Sequence, residues 1–409
     1  MNILYVCHRF PYPPTRGGKI RPFHMIRHLS QMHKVTVASI VRSEAEKEEG
    51  KDLGSYCARV ETAVVHNPMQ LARMIGRLPT PTPSSMGWFY SPELARRIRA
   101  LLAEQRFDLI FVHCSSVAQY VADVIGIPKV LDFGDMDSQK WLEYARYKPF
   151  PVSAGYWLEG VKLEREEKRL AQKFEMCTVT TRAELETLDG YGGACATDWF
   201  PNGVDSEFFA PESEDYEGDT LCFIGRMDYY PNQECMVEFC ANTLPLVRAE
   251  RPDVKLLVVG ADPSPAVKRL AEIPGVTVTG SVPDVRPFVR RSALMVAPLN
   301  IARGTQNKLL ESMALGVPVV SSRIAAKGID AAPDEHLLVG STPQEYARAI
   351  LRILTDRGER RRLAAAGRQR MLSHHGWSHS MARLDAIVER CVSGVRRVRP
   401  SAELAGQRM

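Results

Sequence analysis

Short apolar segments alternate with amphipathic helical stretches along the whole chain, and this alternation restricts it to few architectures. In the first half such segments fall at residues 3–7, 35–40, 60–65, 109–113 and 129–133, with two more at 176–180 and 194–200. In the second half they fall at 221–225, 255–260, 276–279, 294–298 and 317–321. Strands that are apolar on both faces and separated by helices form parallel sheets covered by helices on either side. The halves share this pattern without any visible sequence repeat.

At 409 residues the chain is too long for one ordinary core, which implies two domains. The expected boundaries are a first doubly wound domain at 1–200, a linker at 201–219 and a second domain at 220–375. A terminal amphipathic helix at 376–397 and a disordered tail at 398–409 complete the reading. The linker assignment rests on the acidic, Gly- and Pro-containing stretch after Pro201-Asn-Gly-Val-Asp205. The nine cysteines are odd in number and scattered, several in strand-like runs, as expected of reduced core thiols in a cytoplasmic protein. The sequence opens as a strand with no leader pattern, and no apolar run approaches the roughly 20 residues that span a bilayer. A net charge of +5 is too mild an excess to imply nucleic-acid binding.

Ligands of doubly wound sheets bind outside the carboxyl ends of the strands, here expected to face each other across a cleft, so the loops after each strand carry the functional information. The most informative is Arg303-Gly-Thr-Gln-Asn-Lys-Leu-Leu-Glu-Ser-Met-Ala-Leu-Gly-Val-Pro318, which reads as a glycine-opened loop, a helix over 305–315 and a buried strand. Lys308 stands in the first helical turn, against the positive end of the dipole. An anion held by the ammonium and free backbone N–H groups would explain that placement. Glu311 sets a carboxylate among Leu309, Leu310, Met313 and Ala314. A plain Lys308–Glu311 pair at i,i+3 spacing is the alternative.

Other loops repeat the theme. Gly17-Gly18 opens a helix as a possible anion seat, with Lys19 and Arg21 as cations at its start. Arg226 ends the first strand of the second half, where a guanidinium suits bidentate recognition of phosphate. Gly260 and Gly280 end the next two strands and allow close backbone approach to a base or sugar.

On these motifs the chain resembles the family-4 retaining glycosyltransferases of GT-B fold over nearly its whole length. It is most similar to a subgroup with Gly-x-Met-x-x-x-Pro-Asn and Gly-x-Gln-Asn-Lys-x-Leu-Glu, associated with exopolysaccharide loci and the PEP-CTERM/exosortase system. The resemblance implies two Rossmann-like domains with the last helix packing back on the first. It implies that Arg226 and Lys308 hold the diphosphate of a nucleotide-sugar donor and that Glu311 bonds the ribose. Gly17 and Gly18 would admit the phosphates or the acceptor, and backbone near Val282 would meet the base. The acceptor would be a glycan or lipid-linked glycan at the inner face of the membrane. No cofactor or metal would be required. A nucleotide-sugar 2-epimerase of the same fold, or a non-catalytic nucleotide-sugar-binding partner in a polysaccharide assembly, are the alternative readings.

Three positions depart from the family pattern. Arg303 stands where a carboxylate is usual and would become a further phosphate ligand. Pro231 replaces the usual lysine five residues after Arg226. Asp132-Phe-Gly-Asp-Met-Asp137 replaces a histidine, which makes Asp135 the first candidate near the reacting sugar and His113 the second. Asp135 and Asp137 also match a metal-binding Asp-x-Asp spacing, although Asp137-Ser138 could equally cap a helix. His374, His375 and His379 lack cysteine or acidic partners nearby in sequence, which disfavours zinc. Finally, residues 69–78, Trp88-Phe-Tyr90 and Arg96-Arg97-Ile-Arg99 combine apolar faces, aromatics and cations suited to an anionic membrane surface.

Overall fold

A computed structural model describes residues 1–14, 17–193, 195–212 and 216–398. The chain divides into two compact units, Met1–Phe200 with Met381–Met409, and Pro201–Ser380. Among the described residues the first unit holds β1 (Asn2–Cys7), β2 (Lys34–Val41), β3 (Arg59–Val64), β4 (Leu109–His113), β5 (Lys129–Gly134), β6 (Met176–Val179) and β7 (Ala196–Trp199). They form one parallel sheet in the order β3-β2-β1-β4-β5-β6-β7. The order reverses direction between β1 and β4, which opens a crevice at their carboxyl ends. The central strands are buried along their length, as the runs Leu-Ile-Phe-Val and Leu-Tyr-Val require.

The second unit holds β8 (Glu217–Ile224), β9 (Lys255–Val259), β10 (Val276–Gly280), β11 (Ser292–Ala297), β12 (Val319–Ser322) and β13 (Leu338–Gly340), ordered β10-β9-β8-β11-β12-β13 and again parallel. Its switch point lies between β8 and β11. β8 starts at Glu217, inside the stretch read as linker, and β13, three residues long, carries no signal that a sequence pattern could detect.

The helices that matter below are α1 (Gly17–Met32), α2 (Asn67–Gly76), α3 (Asp137–Tyr147), α4 (Val152–Ala171), α5 (Tyr230–Glu238), α6 (Asn307–Ala314) and α7 (Trp377–Val398). From Met381 onward α7 belongs to the first unit, where Asp385 meets His28 at 2.9 Å, Arg390 pairs with Asp198 and Cys391 Sγ donates to the Lys129 carbonyl at 3.7 Å. The tail expected to be disordered lies, beyond Val398, outside the described residues.

α2 is built inside out. Gln70, Arg73, Met74 and Arg77, at i, i+3, i+4 and i+7, face inward, while Met69, Leu71, Ile75 and Leu78 are exposed. Gln70 Nε2 donates to the Trp88 and Tyr90 carbonyls at 2.8 and 2.9 Å, and Arg77 Nη2 to Gln119 Oε1 at 3.2 Å. Burying a side chain such as Leu71 or Ile75 contributes about 1.5–3 kcal/mol, so hydrogen bonds replace apolar burial in attaching this helix. Trp88, Phe89 and Tyr90 are half-buried, with Trp88 under the Arg42 guanidinium at 4.7 Å. The expectation that Arg73, Arg77 and these aromatics face a membrane is therefore corrected.

Two glycines fix the end of the β8–β9 pair. Gly260 adopts φ +149°, and a Cβ there would lie 1.8 Å from the Gly225 carbonyl oxygen. Gly260→Ala should therefore destabilise the protein by about 3 kcal/mol, read as a lowered urea midpoint. An unchanged midpoint would contradict the packing described.

Candidate donor-binding and catalytic site

In the second unit the site begins at the carboxyl ends of β8 and β11. The loop after β11 turns through Gly304, and Gln306 stays extended at φ −86° and ψ 92°, so α6 starts at Asn307 rather than at 305. Lys308 becomes its second residue. Leu309, Leu310, Met313 and Ala314 turn into the core, which leaves Lys308 and Glu311 on the half-buried side.

The Lys308 ammonium donates to Asn232 Oδ1 at 2.6 Å and lies 4.2 Å from the centre of the Phe223 ring. Among the described residues no ion pair joins it to Glu311, so the i,i+3 pair is not what holds this lysine. Asn232, near the start of α5, donates in turn to the Arg226 carbonyl at 2.8 Å. A Cβ on Gly225 would come within 3.3 Å of Lys308 Nζ and 2.7 Å of Asn232 Nδ2. Glycine at 225 thus lets ammonium, amide and strand end converge. Burial lowers the Lys308 pKa to about 8, against the smaller opposing effects of Cys235 and Glu311. Burial likewise raises Glu311 to about 7, with the Lys308 charge acting the other way.

Arg226 is not waiting empty-handed. Its Nε and Nη2 donate to Asp228 at 2.9 and 2.6 Å, and Nη2 also to Asp262 at 2.7 Å. A phosphate could use this fork only by displacing those carboxylates. Arg303 lies in the β11–α6 loop, where its carbonyl accepts from Gln306 Nε2 at 2.9 Å. Val282 follows β10 with its side chain packed against the core, which leaves its backbone as the available contact.

The first unit assembles a second cluster at the β1–β4 switch point. His113, at the end of β4, bonds Asp132 Oδ2 through Nδ1 at 2.8 Å. Asp132 is fully buried and also receives Arg21 Nε and Nη2 at 2.9 Å each and Thr178 Oγ1 at 2.9 Å. Burial pushes the Asp132 carboxyl up, but the Arg21 charge and the hydrogen bonds from His113 and Arg21 outweigh it and hold the carboxyl well below the usual range. Arg21 is completed by the Phe200 carbonyl at 3.0 Å and lies 3.7 Å from that ring's centre. Lys19 pairs with Glu46 at 2.8 Å. Neither cation serves an anion seat at Gly17-Gly18, and that expectation is corrected. The glycines themselves are exposed at the start of α1, and a Cβ on Gly18 would lie 3.0 Å from Arg9 Cδ and 3.9 Å from His8 Nε2.

His8 escaped the sequence reading. Its ring lies 5.4 Å from that of His113, and burial, then the charges of His113 and Arg9, hold it well below its ordinary pKa. Asp132 and Asn232 were likewise unassigned, although an acid inside an apolar strand run is a readable signal. Cys114, directly after His113, sits at φ +83°, a conformation that L-residues tolerate only under constraint. Asp135 accepts from Thr180 Oγ1 at 3.0 Å. Asp137 is the first residue of α3, not its cap, and burial raises its pKa, with Asp135 adding to the rise. His375 is buried and accepts from the Asp330 N–H at 3.1 Å, with its pKa lowered by burial to about 4. Among the described residues no group of three His, Cys, Asp or Glu side chains is placed to hold a metal, and no helix is long and apolar enough to cross a membrane.

Two parallel doubly wound units with their polar groups at the switch points define the GT-B fold. The chain carries in tandem a Glycosyltransferase Family 4 domain at residues 15–208 and a Glycosyl transferases group 1 domain at 218–356, and so belongs with the family-4 glycosyltransferases. It is 32% identical over 161 residues to a phosphatidyl-myo-inositol mannosyltransferase of Propionibacterium freudenreichii, covering 37% of this chain and 40% of that one. Matches with curated relatives span 39% to 64% of their lengths. Sucrose-phosphate synthase from Thermosynechococcus elongatus superposes with a TM-score of 0.71 at 17% identity, over 96% of this chain and 100% of that one. Anabaena HepE in complex with UDP-glucose superposes with a TM-score of 0.68 at 14% identity, over 95% of this chain and 99% of that one.

Arg21 offers a direct test of the buried network. Removing one partner of a buried pair costs about 3–5 kcal/mol, so Arg21→Met should lose about that much stability at neutral pH. A depressed carboxyl pKa stabilises above the unfolded value near 4 and loses that contribution as pH falls through the folded value. The deficit of the variant should therefore shrink in urea titrations below about pH 4. A deficit independent of pH would show that Arg21 acts through packing alone.

Proposed function

We propose that the protein is a retaining, metal-independent glycosyltransferase that moves a hexose from a nucleoside diphosphate-sugar to a glycan or lipid-linked acceptor. The observation that carries this reading is the Lys308 ammonium, desolvated at the start of α6 and hydrogen-bonded to Asn232 at 2.6 Å beside Gly225. A desolvated cation aligned with a helix N-terminus suits a diphosphate, whose negative charge grows as the sugar leaves. Arg226, once freed from Asp228 and Asp262, and Arg303 add positive charge in the place of a divalent ion. Glu311 bonds the ribose hydroxyls, backbone at Val282 meets the base, and Gly17 and Gly18 leave room for phosphate or acceptor.

In the reaction the bond between anomeric carbon and diphosphate oxygen breaks, and the acceptor oxygen bonds to the same carbon from the same face. The acceptor proton passes to the departing diphosphate. His113, with Nδ1 engaged by Asp132, presents Nε2 to the acceptor hydroxyl, and Asp135 is the second group assigned there. HepE was solved with UDP-glucose, and a relative from Corynebacterium glutamicum is named as GDP-mannose-dependent, which supports a nucleotide-sugar donor. The mannosyltransferase relatives are named for phosphatidylinositol acceptors, which supports a lipid-linked one. A role in exopolysaccharide synthesis at the cytoplasmic side of a membrane agrees with such chemistry and with the subgroup motifs.

Lys308→Ala should reduce turnover about 100-fold or more, the scale for losing one such stabilising group. Release of nucleoside diphosphate with acceptor present measures it. Near-normal turnover would remove the assignment, and epimerised sugar from donor alone would replace transfer by epimerisation.

A further inference from the structure

Two stretches that stand out in the sequence, Pro201-Asn-Gly-Val-Asp205 and Arg303–Pro318, meet through a hydrogen bond in the second unit. Asn202 Nδ2 donates to Asn307 Oδ1 at 3.2 Å. Given a donor diphosphate at Lys308, on which this proposal rests, we infer that Asn307 is a further ligand of that diphosphate and that Asn202 is the residue that positions it.

Asn202 works from a fixed base. It is buried, and its carbonyl oxygen lies 3.5 Å from His375 Nδ1. His375 Nε2 accepts from the Asp330 N–H at 3.1 Å, so the ring proton sits on Nδ1 and is donated to Asn202. Two residues on, the Val204 N–H donates to the His375 carbonyl at 2.7 Å. Between them Gly203 lies against Trp377, where a Cβ would come within 2.6 Å of ring carbon Cδ2. Residues 202–204 are thus fastened to the segment His375–Trp377, and the Asn202 side chain starts from a defined place.

The bond decides which end of the Asn307 amide faces outward. An asparagine at a helix start ordinarily turns its oxygen onto free N–H groups of the first turn. Here Asn202 takes that oxygen, and among the described residues no hydrogen bond engages Asn307 Nδ2. Asn307 is half-buried, and Lys308 follows it in the same turn of α6. An amide offers two N–H donors and no net charge, so it can join the ammonium on one diphosphate without the repulsion a second ammonium would bring.

A tie that only fastens Pro201–Asp205 to α6 needs nothing but an accepting oxygen at residue 307. Aspartate supplies that oxygen, and its charge favours the first turn of a helix. It has no N–H to offer a phosphate and repels one. Asn307→Asp therefore separates a ligand from a structural tie.

Calorimetric titration of the full chain with UDP, with uridine as the phosphate-free control, tests the proposal. Asn307→Ala should weaken UDP binding about tenfold, the scale of one hydrogen bond to a charged group. Asn307→Asp should weaken it further while keeping or raising the urea midpoint. Uridine should bind both variants as it binds the wild type. Asn202→Ala should weaken UDP about threefold or more and add nothing once Asn307 is alanine. Additive losses would overturn the role of Asn202. Wild-type UDP affinity in both Asn307 variants, beside a loss in Lys308→Ala, would overturn the proposal and leave the donor site standing. UDP binding that Lys308→Ala also leaves untouched would overturn both. Equal losses of UDP and uridine would overturn the proposal as well, since Asn307 would then shape the site without touching phosphate.

Discussion

Parallel strand pairing imposes the constraint on which every other feature of this protein rests. It aligns all carboxyl ends on one edge of each sheet, and the reversal of strand order beside β1 and beside β8 opens a crevice at that edge. Helix N-termini gather at the same edge, bringing unpaired N–H groups with them. In the second unit this edge receives Lys308, whose burial lowers its pKa to about 8. Asn232 stabilises the ammonium without neutralising it. A carboxylate in that position would have satisfied the charge and left little attraction for an anion, whereas an amide oxygen leaves most of the field available.

The first unit follows a different logic. There the charges at the sheet edge are already matched to one another, with Arg21, His113 and Thr178 converging on Asp132. Matching of this kind fixes orientation. With Asp132 on Nδ1, His113 is held in one ring orientation, and its other nitrogen is the one that can face a ligand. The positive φ of Cys114 marks the point where the chain leaves β4.

The architecture was legible because its signals are local and repeated. Twelve strands were readable from apolar runs, while β13, at three residues, falls below any periodic signal. Lys308 and Arg226 were legible as chemistry because a cation is unexpected beside a helix N-terminus or at a buried strand end. What the sequence could not show was which polar groups satisfy one another across long separations. Lys308 and Asn232 are 76 residues apart, and Arg21 and Asp132 are 111 apart. Arg21 therefore read as a loop cation although it is a core residue. α2 shows the same limit: its periodicity was correct, but periodicity alone cannot say which face turns inward when hydrogen bonds to Trp88 and Tyr90 compete with apolar burial.

Lys308 and Asn232 are proposed to act as one unit in holding a diphosphate. A double-mutant cycle of Lys308→Met and Asn232→Ala, read by calorimetric titration with UDP, separates such coupling from two independent contributions. If the amide positions the ammonium, Asn232→Ala should weaken UDP binding in the wild-type background and have little further effect once Lys308 is gone, giving a coupling of about 1 kcal/mol or more. Additive losses, or UDP binding untouched by either substitution, would show that the two side chains do not act together on the diphosphate.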